Sequence, residues 1–271
     1  MAENNFSLQK TLTMLLDEKK YHSLRDILST MNPADIAAIF DDLDQACLPL
    51  LFRLLPKELA AETFVEMEPE AQELLIRGFS DSELKEVIDE LYVDDAVDIV
   101  EEMPANVVQR ILSQAEPDMR KQINEILRYP EDSAGSIMTT EYVSLRPNMT
   151  VEEAILRIRR TGIDKETIYT CYVTRGHKLI GLTSVKDLLL CEDDDATIES
   201  IMQEHVITVS TLDDKEQVAQ MFSKYNFLAL PVVDTEDRLV GIVTFDDAMD
   251  VMEDEATEDM EKMAAMLPSE H

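Results

Sequence analysis

The sequence contains no tryptophan, only six glycines, and three cysteines in 271 residues. So few glycines leave neither a P-loop nor a glycine-rich phosphate cradle. Cys47, Cys171 and Cys191 stand far apart, odd in number and without a CxxC pair, which excludes a disulfide framework and a thiolate metal site. Of the four histidines none sits in an HExxH pattern, and His22, His177, His205 and His271 have no evident partners, so neither zinc chemistry nor catalysis is expected. No run approaches the roughly 18 apolar residues of a membrane span, and the N-terminus lacks a basic patch followed by an apolar secretory core. The segment is therefore expected to be soluble and cytosolic. Positive charge is scarce: 24 Lys and Arg face 57 Asp and Glu, a formal net charge of -33. Nucleic acid and anionic membranes are poor partners for such a chain. What is present suffices for two modest domains, since 45% of the residues are hydrophobic. Most of the acids read as solvated, and only clusters that must face one another bear on function.

From Met31 onward an apolar register repeats every twelve positions, at Met31, Leu43, Leu55, Met67, Phe79, Leu91, Met103 and Ala115. A second register, Phe40, Phe52, Phe64, Ile76, Ile88, Val100 and Leu112, keeps the same spacing, and the residue before each is apolar except at Thr63. Turn or cap residues follow the first register, among them Pro33, Asp44, Pro56, Pro69, Ser80 and Pro104, where a fixed φ and a missing N–H suit a helix start. The spacing predicts seven helices of about eight or nine residues. Such units cannot bury an apolar face alone and must stack as a superhelical α-solenoid, with helices around Leu8–Leu16 and Leu24–Met31 as a cap. This first domain is expected to occupy residues 1–130.

Beyond Gly135 short β-branched runs alternate with helical patterns, which predicts α/β structure. This part also repeats: Ile137-Met138 recurs as Ile201-Met202, and Leu179-Ile180-Gly181-Leu182-Thr183-Ser184 as Leu239-Val240-Gly241-Ile242-Val243-Thr244. Each copy reads as strand, helix (151–160; 216–225), core strand (168–174; 229–233), turn, strand and final helix. The Gly-x-x-[Ser/Thr]-x-x-Asp stretches at Gly181, Ser184, Asp187 and at Gly241, Thr244, Asp247 carry a resemblance to a tandem pair of cystathionine-β-synthase (CBS) domains. The Ser/Thr-x-x-Asp unit also reads as a capping box. The resemblance implies a second use, an adenosine cleft with Ser184, Lys186 and Asp187 near ribose and phosphate, and hence ATP as a ligand.

From Asp246 to Glu261 nine of sixteen residues are acidic and none is basic. Met249, Met252, Ala256, Met260, Met263 and Leu267 form one stripe of a single helix, and Asp247, Asp250, Asp254, Glu258 and Glu261 a second. Stacked carboxylates disfavour one another at these spacings, which fits either a solvated acidic connector or a cation site. Carboxylate donors select a hard cation, and no glycine stands where a calcium EF-hand needs one, so magnesium is the better candidate.

The run Gly241–Asp259, after a CBS pair and a twelve-residue helical repeat, resembles the cytosolic part of MgtE-type magnesium transporters. So do Leu55-Pro-Lys, Ala60-Ala-Glu62, Val93-Asp-Asp-Ala-Val-Asp98, Ala134-Gly135 and Met138-Thr139. The resemblance implies CBS domains at residues 131–200 and 201–246, and a connecting helix at 247–271 leading to a transmembrane pore domain beyond this segment. It implies Mg2+ contacts at Glu62, Asp94, Asp98, Asp214, Glu216, Asp247, Asp250, Glu255, Glu258 and Asp259, with the neutral Asn226 where the family can place an aspartate. It also implies a homodimer through the CBS domains, at the cytoplasmic face of the cell membrane, whose Mg2+-bridged acidic faces close the pore. The alternatives are an adenine-nucleotide-sensing CBS module and a peptide-binding adaptor.

Overall fold

The computed structural model describes residues 2–41 and 43–266, with side chains described for 10–41, 43–258, 260 and 262. It divides into two compact units, one holding the residues up to Leu91 with Asp95–Lys121, the other Tyr92–Asp94 with the residues from Gln122 on.

The first unit is helical: α1 (Ala2–Asp17), α2 (Tyr21–Leu28), α3 (Pro33–Asp41), α4 (Leu48–Phe52), α5 (Lys57–Val65), α6 (Pro69–Gly78), α7 (Asp81–Ile88), α8 (Val93–Glu102), α9 (Ala105–Gln114) and α10 (Pro117–Ile126). Helices α3, α5, α7 and α9 stack in one row, each on the next, while α4 and α6 pack together beside it. Both registers supply the core: Phe40, Phe52, Phe64, Ile76, Ile88 and Val100 are buried, as are Leu55, Met67, Phe79, Leu91 and Met103. Met31, Leu43 and Leu112, near the ends of the repeat, are only half-buried. Phe52, Phe64 and Phe79 meet with ring centroids 5.4 to 6.5 Å apart, within the range of favourable aromatic pairs. Thr63, the exception in its register, is as buried as its apolar counterparts.

The helices α3 and α5–α9 run to eight to ten residues, within one of the expected length, and α4 departs from it. α4 has only five residues, because Asp44 turns the chain by accepting the Ala46 N–H at 3.0 Å and Pro49 fixes the helix start two residues into α4. α10 adds an eighth helix to the seven expected. Helix ends are closed by side chains: Gln72 donates to the Phe64 carbonyl at the end of α5 at 2.8 Å, and Arg110 donates to the Ile76 and Phe79 carbonyls at the end of α6.

The second unit holds two copies of one pattern. The first is β1 (Tyr142–Leu145), α11 (Val151–Thr161), a 3-10 turn, β2 (Thr167–Arg175), β3 (Lys178–Ser184), α12 (Val185–Leu190) and α13 (Ile198–Ile201). The second is β4 (Val209–Ser210), α14 (Lys215–Tyr225), β5 (Ala229–Val233), β6 (Leu239–Thr244) and α15 (Phe245–Met266). In each copy the outer strand pairs parallel to the middle one, which pairs antiparallel to the third.

The two copies exchange their leading segments. Thr139, ahead of copy one, bridges to Ile242 of β6, and Gln203, ahead of copy two, bridges to Leu182 of β3. This accounts for the repeated Ile-Met and the repeated glycine. A Cβ on Gly241 would lie 2.6 Å from Met138 Sδ and 2.8 Å from the Thr139 carbonyl; one on Gly181 would lie 2.7 Å from Met202 Sδ and 2.9 Å from the Gln203 carbonyl. Only a residue without Cβ lets the leader of one copy lie flat on the sheet of the other. Met138 accordingly belongs to the core of the second copy, with Val218, Phe222, Leu230, Val243, Ala248 and Val251. Between the sheets, Tyr172 packs with Ala229, Leu239 and Ile242 and meets Tyr142 edge to face at 5.9 Å.

Candidate functional site

The two Ser/Thr-x-x-Asp units close their helices differently. At α12 the capping box is complete: Ser184 Oγ accepts the Asp187 N–H at 3.0 Å, and the Asp187 carboxylate accepts the Ser184 N–H at 3.3 Å. Lys186 and Asp187 are exposed and Ser184 half-buried. At α15, Asp247 accepts the Thr244 N–H at 3.2 Å, but the Thr244 hydroxyl turns toward the carboxylates of both Asp246 and Asp247. A hydroxyl has one proton, so it serves one carboxylate at a time and leaves a cluster of acid oxygens short of positive charge. Burial, followed by repulsion from Asp246 and Asp250, pushes the Asp247 carboxyl up to about 6 against the pull of the Thr244 hydrogen bonds. Asp246 is the residue that sequence reasoning missed as part of this cluster. Its signal in the sequence is the acidic pair Asp246-Asp247 in the first turn of the helix.

The α15 helix corrects the expected apolar stripe. Its buried face is Ala248 and Val251, with Met252 partly covered against the same core, whereas Met249 and Met260 are 43% and 66% exposed. The reason is local: the first turns pack on α14 and β6, which rotates the covered face one position from the methionine register. Met263 and Leu267 lie outside the described side chains. Asp250 and Glu258 are exposed and Glu255 half-buried, with Glu258 paired to Lys262 at 2.5 Å. The Asp259 side chain lies outside the description, as does that of Glu261.

Asp214 is the N-cap of α14, accepting the Gln217 N–H at 3.0 Å, and Glu216 in the first turn accepts from Gln220 at 3.0 Å. Asn226 ends the same helix in the left-handed conformation, φ 54, its N–H donating to the Phe222 carbonyl at 2.9 Å. Its place is thus explained by helix termination. Glu62 on α5 and Asp98 on α8 are exposed, whereas Asp94 in the first turn of α8 is buried, so Asp94 and Asp98 do not share one solvent-facing stripe. Among the described residues no three carboxylate, imidazole or thiol side chains converge as a ready-made metal cage. At the start of α15 the charges of Asp246 and Asp250 act on Asp247 without forming such a cage; the other acids are spread over several helices. Cys171 is buried and its thiol is pushed up to about 12, which keeps it an inert core residue. Among the described residues no helix is long and apolar enough to cross a membrane.

Comparison with known proteins agrees with this architecture. The MgtE intracellular N domain family matches residues 31–132, and the CBS domain family matches 134–192 and 198–254. The magnesium transporter MgtE of Thermus thermophilus is 39% identical over 264 residues, covering 96% of this chain, while the chain spans 58% of that relative's length. Two crystal structures superimpose at a TM-score of 0.84 each. One, of the cytosolic domain of the Mg2+ channel MgtE in complex with ATP, is 38% identical and covers 90% of this chain and 99% of its own. The other, of the soluble part of a magnesium transporter, is 33% identical and covers 94% and 100%. With the helical repeat, the paired βαβ copies and the acidic last helix all matched, this chain belongs to the MgtE magnesium transporter family, carrying its intracellular N domain and tandem CBS domains.

Proposed function

We propose that this chain is a regulatory rather than catalytic region, which senses cytosolic Mg2+ and gates a transmembrane pore domain at the cytoplasmic face of the membrane. The carrying observation is the start of α15, where one Thr244 hydroxyl faces the carboxylates of both Asp246 and Asp247, and burial with the Asp246 and Asp250 charges raises the Asp247 carboxyl. An all-oxygen donor set of this kind suits a hard divalent cation, and Mg2+ keeps most of its waters while taking one or two carboxylates. In this reading Mg2+ joins the acids of α15 (Asp247, Asp250, Glu255, Glu258, Asp259) and of the second CBS copy (Asp214, Glu216) to those of the N domain (Glu62, Asp94, Asp98). Two carboxylates about 6 Å apart repel by roughly 1–3 kcal/mol at effective dielectrics between those of water and a protein surface. Several shared ions thus supply the about 5.5 kcal/mol that turns a mostly open population into a mostly closed one. A homodimer formed through the CBS domains completes the reading.

The test is a magnesium titration followed by small-angle scattering and limited proteolysis, on the wild type beside an Asp98→Ala, Asp247→Ala, Asp250→Ala variant. The wild type is expected to compact cooperatively at millimolar Mg2+ and the variant to need at least tenfold more. Equal compaction of both retires the assignment, and compaction by ATP without Mg2+ favours nucleotide sensing instead. ATP as a second ligand is supported by the relative crystallised with it. Ser184, Lys186 and Asp187 are proposed to hold it, and Asp187→Ala is expected to abolish ATP binding measured by calorimetry.

A further inference from the structure

We propose that the cleft at the β2–β3 turn of the first CBS copy binds the phosphate groups of a small phosphorylated molecule, at a site separate from the Ser184–Asp187 helix start. The cleft has a volume of about 550 Å³, in the range of small-ligand pockets. Four basic side chains line it: Arg146 just past β1, Arg157 on α11, and Arg175 and His177 at the turn. Not one Asp or Glu does, in a chain where acids outnumber Lys and Arg by 57 to 24. Arg175 is held by Glu199 at 2.6 Å, from outside the lining. Among the described residues no carboxylate pairs with Arg146 or Arg157. Two arginines left without a counterion beside a third repel one another, and an anion between them reverses the sign.

The side chains present favour phosphate. A guanidinium offers two parallel N–H donors that match two phosphate oxygens, and two unpaired arginines suit a ligand carrying two or more negative charges. Two hydroxyls, Ser144 and Thr174, lie 3.0 Å apart in the lining; one donates to the other, and the second keeps its proton for a ligand oxygen. The second copy closes the far side, since Leu239 enters the lining where its N–H donates to the His177 carbonyl at 3.0 Å. β3 starts next to this cleft at Lys178 and ends at Ser184. Six strand steps, roughly 20 Å, therefore separate the two places.

Calorimetric titration of the chain with inorganic pyrophosphate, in Mg2+-free buffer, tests this. The wild type is expected to show saturable binding. An Arg146→Ala, Arg157→Ala variant, which changes only exposed side chains, is expected to bind at least tenfold more weakly with an unchanged circular dichroism spectrum. A Ser184→Ala, Asp187→Ala variant is expected to bind like the wild type. Absence of saturable pyrophosphate binding, full retention in the arginine variant, or loss in the Asp187 variant would each overturn the proposal.

Discussion

Glycine 241 does the work of a joint. Its missing Cβ admits Met138 and the Thr139 carbonyl, one a flexible side chain and the other backbone. Gly241→Ala is therefore expected to destabilise the second unit by about 1–3 kcal/mol, the usual cost of overpacking. Urea unfolding measures it, and adding Met138→Ala is expected not to restore stability, because the carbonyl remains. Glu83 shows the opposite economy, since every neighbour favours its charged form. Arg53 donates to it at 2.6 Å and the Ser80 N–H at 2.8 Å, holding its carboxyl at about 2. A lowered carboxylate stabilises the fold above its unfolded value and loses that contribution as pH falls from 4.5 toward about 2. Glu83→Gln is expected to cost about 1 kcal/mol at neutral pH, discounted for its partial exposure, and almost nothing at pH values near 2. Parallel denaturation series at the two pH values check the sign.

At the scale of single elements, termination matters as much as propensity. α14 stops at Asn226 because an amide side chain tolerates the left-handed backbone that a β-branched residue resists. Asn226→Val is expected to cost about 1–2 kcal/mol in unfolding experiments, whereas Asn226→Gly is expected to be neutral or slightly stabilising. α15 is stabilised unevenly along its length. Ala248 and Val251 tie its first turns to the core of the second CBS copy, while the acids that follow gain nothing from one another.

For the molecule as a whole, a net charge of -33 means that each added carboxylate works against compactness. Monovalent salt relieves this by screening alone, with a Debye length near 10 Å at about 0.1 M. A bound divalent ion does more, adding about 2.7 kcal/mol at one hundred times its dissociation constant. Millimolar MgCl2 is therefore expected to raise the melting temperature of the chain beyond what NaCl achieves at equal ionic strength. Identical shifts in the two salts would mean screening without sites.

Much of this molecule was legible in its sequence because its two repeats are physical necessities. A short helix buries its face only against a like neighbour, so the twelve-residue register had to mark the core, and Phe52, Phe64 and Phe79 meet accordingly. Paired strand and helix patterns likewise gave away the two CBS copies. What periodicity cannot carry is which side chains of distant segments meet. The seat of Met138 on Gly241, the burial of Asp94 beside an exposed Asp98, and the turn of α15 that covers Val251 instead of Met249 came from tertiary packing. The same holds for the cleft that gathers Arg146, Arg157 and Arg175 from three elements. Burial and charge crowding depend on neighbours far along the chain, and a local pattern records only the residues adjacent to it.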